Sequence, residues 1–115
     1  MAHKKAPKVI RPFRVLVSQE DDWVCARVLE YNLAAQAKTL EGLYAAMERV
    51  VRAHIAARLE NDQEPFEDLT PAPREYWDRF RDSKVPLSTQ KLEIEIKRPT
   101  SIKIDRAEVR VAATR

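Results

Sequence analysis

The sequence predicts an α+β domain: one long helix packed on a small antiparallel sheet, then a short second helix and C-terminal strands. Three observations predict it. Apolar residues alternate from Phe13 to Val17 and run, apart from Arg27, unbroken from Trp23 to Leu29, on the two sides of an acidic turn at Gln19 to Asp22. From Leu40 to Leu59 they recur at i, i+3, i+4 and i+7. After Pro86 the period returns to two. At 115 residues the chain is a single domain, 1–115. It divides into a β-β-β-α core over 13–73, a short helix over 74–82, and C-terminal strands over 91–111 that are free to pair between chains.

Phe13, Val15 and Val17 alternate with Arg14 and Ser18, a strand with one buried face that Leu16 interrupts on its polar side. Gln19-Glu20-Asp21-Asp22 is a break of hairpin length. Trp23 to Leu29, apolar apart from Arg27, is the returning strand. Tyr31 to Leu33 bends, and Ala35 to Ala37 makes a short third strand. Thr39 is placed to cap the long helix, with Glu41 at its positive end and Arg58 near its negative one. Asn61-Asp62 ends the pattern, and the acidic, proline-bearing stretch from Glu60 to Pro73 is a surface connection. Pro71 or Pro73 opens a helix through Asp82 with Tyr76, Trp77 and Phe80 on one face. Leu92, Ile94 and Ile96 then alternate with charge. Ile102 and Ile104 continue, and Val109 and Val111 resume in the opposite parity, which requires a bulge or turn near Asp105-Arg106.

Composition excludes much chemistry. A single glycine, Gly42, cannot write a phosphate-binding loop. Cys25 is alone, so no internal disulfide or cysteine-based zinc cluster is expected. His3 and His54 are far apart, without ligand or triad spacing. Neither catalytic residues, nor a metal, nor a cofactor is therefore expected. Cys25 is expected to be a small buried hydrophobe and His54 a structural or half-exposed histidine. The acids of the 20–22 turn are expected to be solvated. The basic leader from Met1 to Arg14 lacks the apolar body of a signal peptide, and no window reaches the length of a membrane span. A cytoplasmic address is expected, with the leader a solubilising tail.

Charge is uneven. Residues 1–14 carry five bases and no acid, whereas 15–69 carry five bases against eleven acids. The 91–115 stretch is basic again, seven against four. An acidic centre repels a phosphate backbone and suits a basic protein partner. Nucleic acid is therefore expected to bind weakly and without sequence preference. The bases at Lys97, Arg98, Lys103, Arg106 and Arg110 are the remaining candidates for a reader.

Phe13 to Ser18, the turn at Gln19 to Asp22, Trp23-Val24-Cys25-Ala26-Arg27-Val28 and Lys38-Thr39-Leu40-Glu41-Gly42-Leu43 together form a pattern. Through it, residues 13–73 resemble the N-terminal domain of HicB-type antitoxins of bacterial toxin–antitoxin pairs. Pro65 and Pro71-Ala72-Pro73 match the proline-bearing tail of that family. Two features depart from it. Glu30-Tyr31-Asn32-Leu33 stands where the family has a Pro-Gly bend. The last 25 residues read as strand, where many members carry a DNA-binding helical domain. The resemblance implies a non-catalytic, oligomerising binding module that covers a small basic, RNA-cleaving HicA-like toxin.

The competing reading is an oligomeric structural protein with no toxin, and fold alone does not choose between the two. Tyr76, Trp77 and Phe80 are candidate partner-binding anchors, with core packing of the short helix as the alternative. Leu92, Ile94 and Ile96 are candidates for the edge at which a dimer or larger assembly forms.

Overall fold

The computed structural model describes residues 8–10, 12–87, 94–96, 102–104 and 107–112. In chain order the elements are β1 (Lys8–Ile10), β2 (Arg14–Glu20), β3 (Trp23–Val28), β4 (Leu33–Ala37), α1 (Leu40–Glu60) and α2 (Arg74–Asp82). They are followed by β5 (Val85–Leu87), β6 (Ile94–Ile96), β7 (Ile102–Ile104) and β8 (Glu108–Val111). The fold is α+β.

The meander β2-β3-β4 is antiparallel throughout, with Ser18 opposite Cys25 and Cys25 opposite Gln36. Asp21 and Asp22 alone make the first turn, and Asp21 takes a left-handed φ of 54°. A short polar side chain tolerates that conformation. Asn32 does the same at the second turn, with φ 52°, and its Oδ1 accepts a hydrogen bond from Arg27 at 2.6 Å. An asparagine thus makes this bend without a Pro-Gly pair.

Both ends of α1 follow from local chemistry. Thr39 is extended, and its Oγ1 accepts from the Gly42 N–H at 3.0 Å. A Cβ on Gly42 would lie 3.1 Å from that oxygen, so the one glycine leaves the cap its room. At the other end the Asp62 N–H donates to the Leu59 carbonyl and the Gln63 N–H to the Arg58 carbonyl. With Asp62 at φ 54° this is a Schellman closure in which aspartate fills the usual glycine position. Thr39→Ala should cost about 1 kcal/mol, as lost N-caps do, read as a lower urea midpoint at unchanged slope.

The sheet is where the structure departs from expectation. It is mixed rather than purely antiparallel, with five strands in the order β4-β3-β2-β8-β5. β8 runs parallel to β2, placing Val15 beside Val109 and Leu16 beside Arg110. A second sheet, β1-β7-β6, forms because Lys8–Ile10 pairs in parallel with Ile102–Ile104. That part of the basic leader is therefore a strand, not a tail, and its Ile10 is buried. β7 and β8, expected to be free for pairing between chains, are paired within this one. The parity slip at Asp105-Arg106 falls outside the described residues.

The five-stranded sheet buries both faces. On one, Val15, Val17, Ala26, Val28 and Val109 meet Leu43, Met47, Val51 and Ile55 of α1. Ile10, Phe13, Phe66, Ile102, Ile104 and Ala107 extend that core. On the other, Leu16, Leu29 and Ala112 meet Ala72 and Phe80, with Tyr76 and Trp77 packed alongside. Leu16 breaks the alternation of β2 because α2 covers the face to which it points.

Candidate groove beside the second helix

α2 covers only part of its face of the sheet. Beyond it lies a groove of about 440 Å³, floored by β2, β3 and β4 and walled by α2. Leu16, Ser18, Cys25, Arg27, Gln36 and Tyr76 are among its lining residues. Alternation along the strands brings them together, since every second residue of a strand shares a face.

The groove is lined equally by polar and apolar surface and is clamped at its rim. The Arg27 guanidinium lies 4.3 Å from the centre of the Tyr76 ring, and Arg79 pairs with Glu20 at 3.6 Å. Elsewhere on the surface Trp23 is 38% exposed and carries the Lys38 ammonium 3.9 Å above its ring. Cys25 is half-buried within the groove rather than fully buried as expected. Burial, with help from the Glu20 charge, raises its thiol pKa, the opposite of an activated nucleophile.

The aromatic trio, a candidate partner anchor with core packing as its alternative, divides. Phe80 is buried against the sheet. Trp77 is half-buried, donates from Nε1 to the Ala72 carbonyl at 3.1 Å and receives Arg14 over its ring at 5.3 Å. Tyr76 is half-buried under Arg27 and alone among the three lines the groove. Arg14 is held in turn by Glu30, whose Oε1 accepts from the Arg14 backbone N–H at 2.7 Å. Glu30 Oε2 lies 3.3 Å from Arg14 Nε without hydrogen-bond alignment. Burial raises the Glu30 pKa, and Arg14 partly offsets it.

Of the proposed oligomer-edge residues, Leu92 lies outside the described residues. Ile94 and Ile96 lie in β6, which ends the order of the smaller sheet. Among the bases considered for nucleic acid, Arg110 stacks 4.7 Å from Phe80 and pairs with Glu108 at 2.7 Å. Lys103 is half-buried in β7, and Lys97, Arg98 and Arg106 are outside the described residues.

His54 was expected to be structural, and it is half-buried with a definite partner. Its Nε2 accepts from the Phe66 backbone N–H at 3.0 Å, and its ring lies 5.0 Å from that of Phe66. Sequence offered no signal for this contact, because Phe66 sits in a loop twelve residues away. Among the described residues no three His, Cys, Asp or Glu side chains gather as metal ligands, and no helix is long and apolar enough to cross a membrane.

Eleven acids fall between residues 15 and 69, and all but Glu30 and Glu48 are exposed. The exposed ones lie at the end of β2 and on the turn after it, on α1 and on the loop that follows it. No protein family, curated protein or solved structure matches this chain.

Proposed function

We propose that this protein is a non-catalytic binding module of the HicB antitoxin type, which neutralises a small basic, RNA-cleaving toxin by covering it. The observation that carries the reading is the β2-β3-β4-α1 unit with its exposed acids at the β2–β3 turn, on α1 and on the loop after it. Exposed acids draw in a basic partner at long range, and apolar contact then holds it where RNA would bind. Tyr76 and Arg27 at the groove supply contacts of the kind enriched at protein interfaces.

The test is direct. The small basic protein encoded beside this one, when such a reading frame is present, is expressed and assayed for RNA cleavage with and without this chain. Stoichiometric inhibition is the expected result. Glu60→Lys with Glu67→Lys should slow association several-fold at low salt and flatten its salt dependence, because exposed charges act mainly on the encounter rate. Cleavage that continues unchanged with excess of this chain overturns the reading.

A further inference from the structure

The groove beside α2 gathers hydrogen-bond donors that the chain itself leaves unspent. Two rows of side chains cross its floor: Leu16, Arg27 and Ala34, then Ser18, Cys25 and Gln36 about 7 Å along the strands. At the first row Arg27 spends an N–H on Asn32 and lies over Tyr76. Ser18 is 8% exposed, and neither its hydroxyl nor the Gln36 amide has a hydrogen-bond partner among the described residues. Arg79, on the wall made by α2, sits 3.6 Å from Glu20, beyond hydrogen-bond reach. Its guanidinium has no hydrogen-bond acceptor among the described residues. Donors kept from water without acceptors are costly, and a ligand that brings acceptors removes that cost. Two guanidiniums against the Glu20 carboxylate leave the lining with a single positive charge. Leu16, Ala34 and the Tyr76 ring add apolar wall, and about 440 Å³ is the size of a small-molecule site.

We propose that the groove binds a small organic monocarboxylate. Its carboxylate lies between Arg79 and the Ser18 hydroxyl, and its apolar body runs along Leu16 and Ala34 toward the stack of Arg27 on Tyr76. Arginine offers donors and no acceptor, so the ligand must supply both acceptors and negative charge. The single net charge of the lining suits a monoanion. A phosphate monoester, with a charge of about −2, would meet Glu20 without compensation. Apolar lining as extensive as the polar calls for a carbon body rather than a bare ion. Glu20 is the ligand's rival for Arg79, so removing the Glu20 charge should tighten binding, which no purely structural role of that pair would do. This binding goes beyond the antitoxin reading and needs no toxin, since the chain alone forms the groove.

Benzoate is the probe, and benzamide, the same ring without the charge, is its control. In the full chain benzoate should shift the backbone amides of Ser18, Cys25 and Gln36 in two-dimensional NMR spectra, with a Kd of about 1 mM. Benzamide should bind about tenfold more weakly or worse. Arg79→Gln should weaken benzoate about tenfold and Glu20→Gln should tighten it several-fold, both with an unchanged far-ultraviolet spectrum. Cys25, the single thiol of the chain, reports occupancy independently. Benzoate should slow its alkylation by iodoacetamide in the wild type and not in the Arg79→Gln chain. Absence of the amide shifts at about ten times the expected Kd overturns the proposal. So does benzamide binding equal to benzoate, or indifference to either substitution. Inorganic phosphate binding as tightly as benzoate also overturns it, because the groove would then be an oxyanion site that takes no apolar body.

Discussion

Replacing Phe13 by alanine should remove about 3–5 kcal/mol of folding stability, the usual cost of emptying a large buried aromatic site. Phe13 is 2% exposed and lies where both sheets and the loop after α1 contribute to one core. Its ring centre is 6.2 Å from that of Tyr31, which in turn is 4.5 Å from Phe66. Its carbonyl accepts from the Glu108 N–H at 2.9 Å, just where β8 joins β2. The cavity would therefore open beside a backbone junction that has little freedom to collapse. Domains of this size are held by about 5–15 kcal/mol, so the variant should lose a large share of its stability and unfold at a much lower urea concentration. Urea unfolding checks this, with Val9→Ala as the exposed control, expected within about 0.5 kcal/mol of wild type. A Phe13→Ala loss below about 1 kcal/mol would mean that the two sheets do not share this core.

Acid should loosen the loop after α1 through His54. Its Nε2 must be unprotonated to accept from Phe66, and burial, with the Arg58 charge, lowers its pKa from 6.5. A histidine whose folded pKa is depressed contributes stability that is fully present above its unfolded value. That stability is lost as pH falls through the folded one. The window is thus below pH 6.5, on the acid side of ordinary histidine titration.

Phe66 raises the stakes because it holds φ at 70°, a conformation that a bulky L-residue adopts only under constraint. The imidazole faces Phe66, which in turn packs on Tyr31, and the charge of Arg58, which is held by Asp68 and the Glu64 carbonyl. His54→Leu leaves the Phe66 N–H without its acceptor and should cost about 1–3 kcal/mol at neutral pH. His54→Gln retains a neutral acceptor and should abolish the acid step. Urea midpoints between pH 7 and 5 measure both. A His54→Gln profile identical to wild type would assign the acid sensitivity to another group.

Legibility in the sequence followed the range of the interactions. Thr39 and Asn61 bound α1 within a residue of expectation because caps and closures act over three or four residues. The meander was legible for the same reason, since antiparallel neighbours are joined by short turns. β1 was hidden because three residues in a basic stretch have no period to read, and β5 because Pro86 argues against a strand. The parallel pairing of β2 with β8 joins residues more than ninety positions apart, and no local pattern encodes it. Leu16 was the available hint, an apolar residue on the supposedly polar side of β2 that marks a sheet covered twice. The groove followed the same rule. Its Cys25, Arg27 and Gln36 were visible as strand residues, but only the placement of α2 across Leu16 turns their face into a concave one.

The place of β8 between β2 and β5 bears on how the chain is made. Synthesis delivers the meander, both helices and β5 before the strand that ties β5 to the rest. Until Glu108–Val111 emerges, β2 has one neighbour instead of two, and the Leu16 face lacks Ala112. Closing a parallel pair across that length of chain carries the loop-entropy cost that makes non-local strand pairing slow. The nascent protein therefore passes through a stage in which its central strand is an open edge flanked by apolar side chains. The ribosome-bound interval before the last strand arrives is when this chain is most prone to pair with a neighbour in the wrong register.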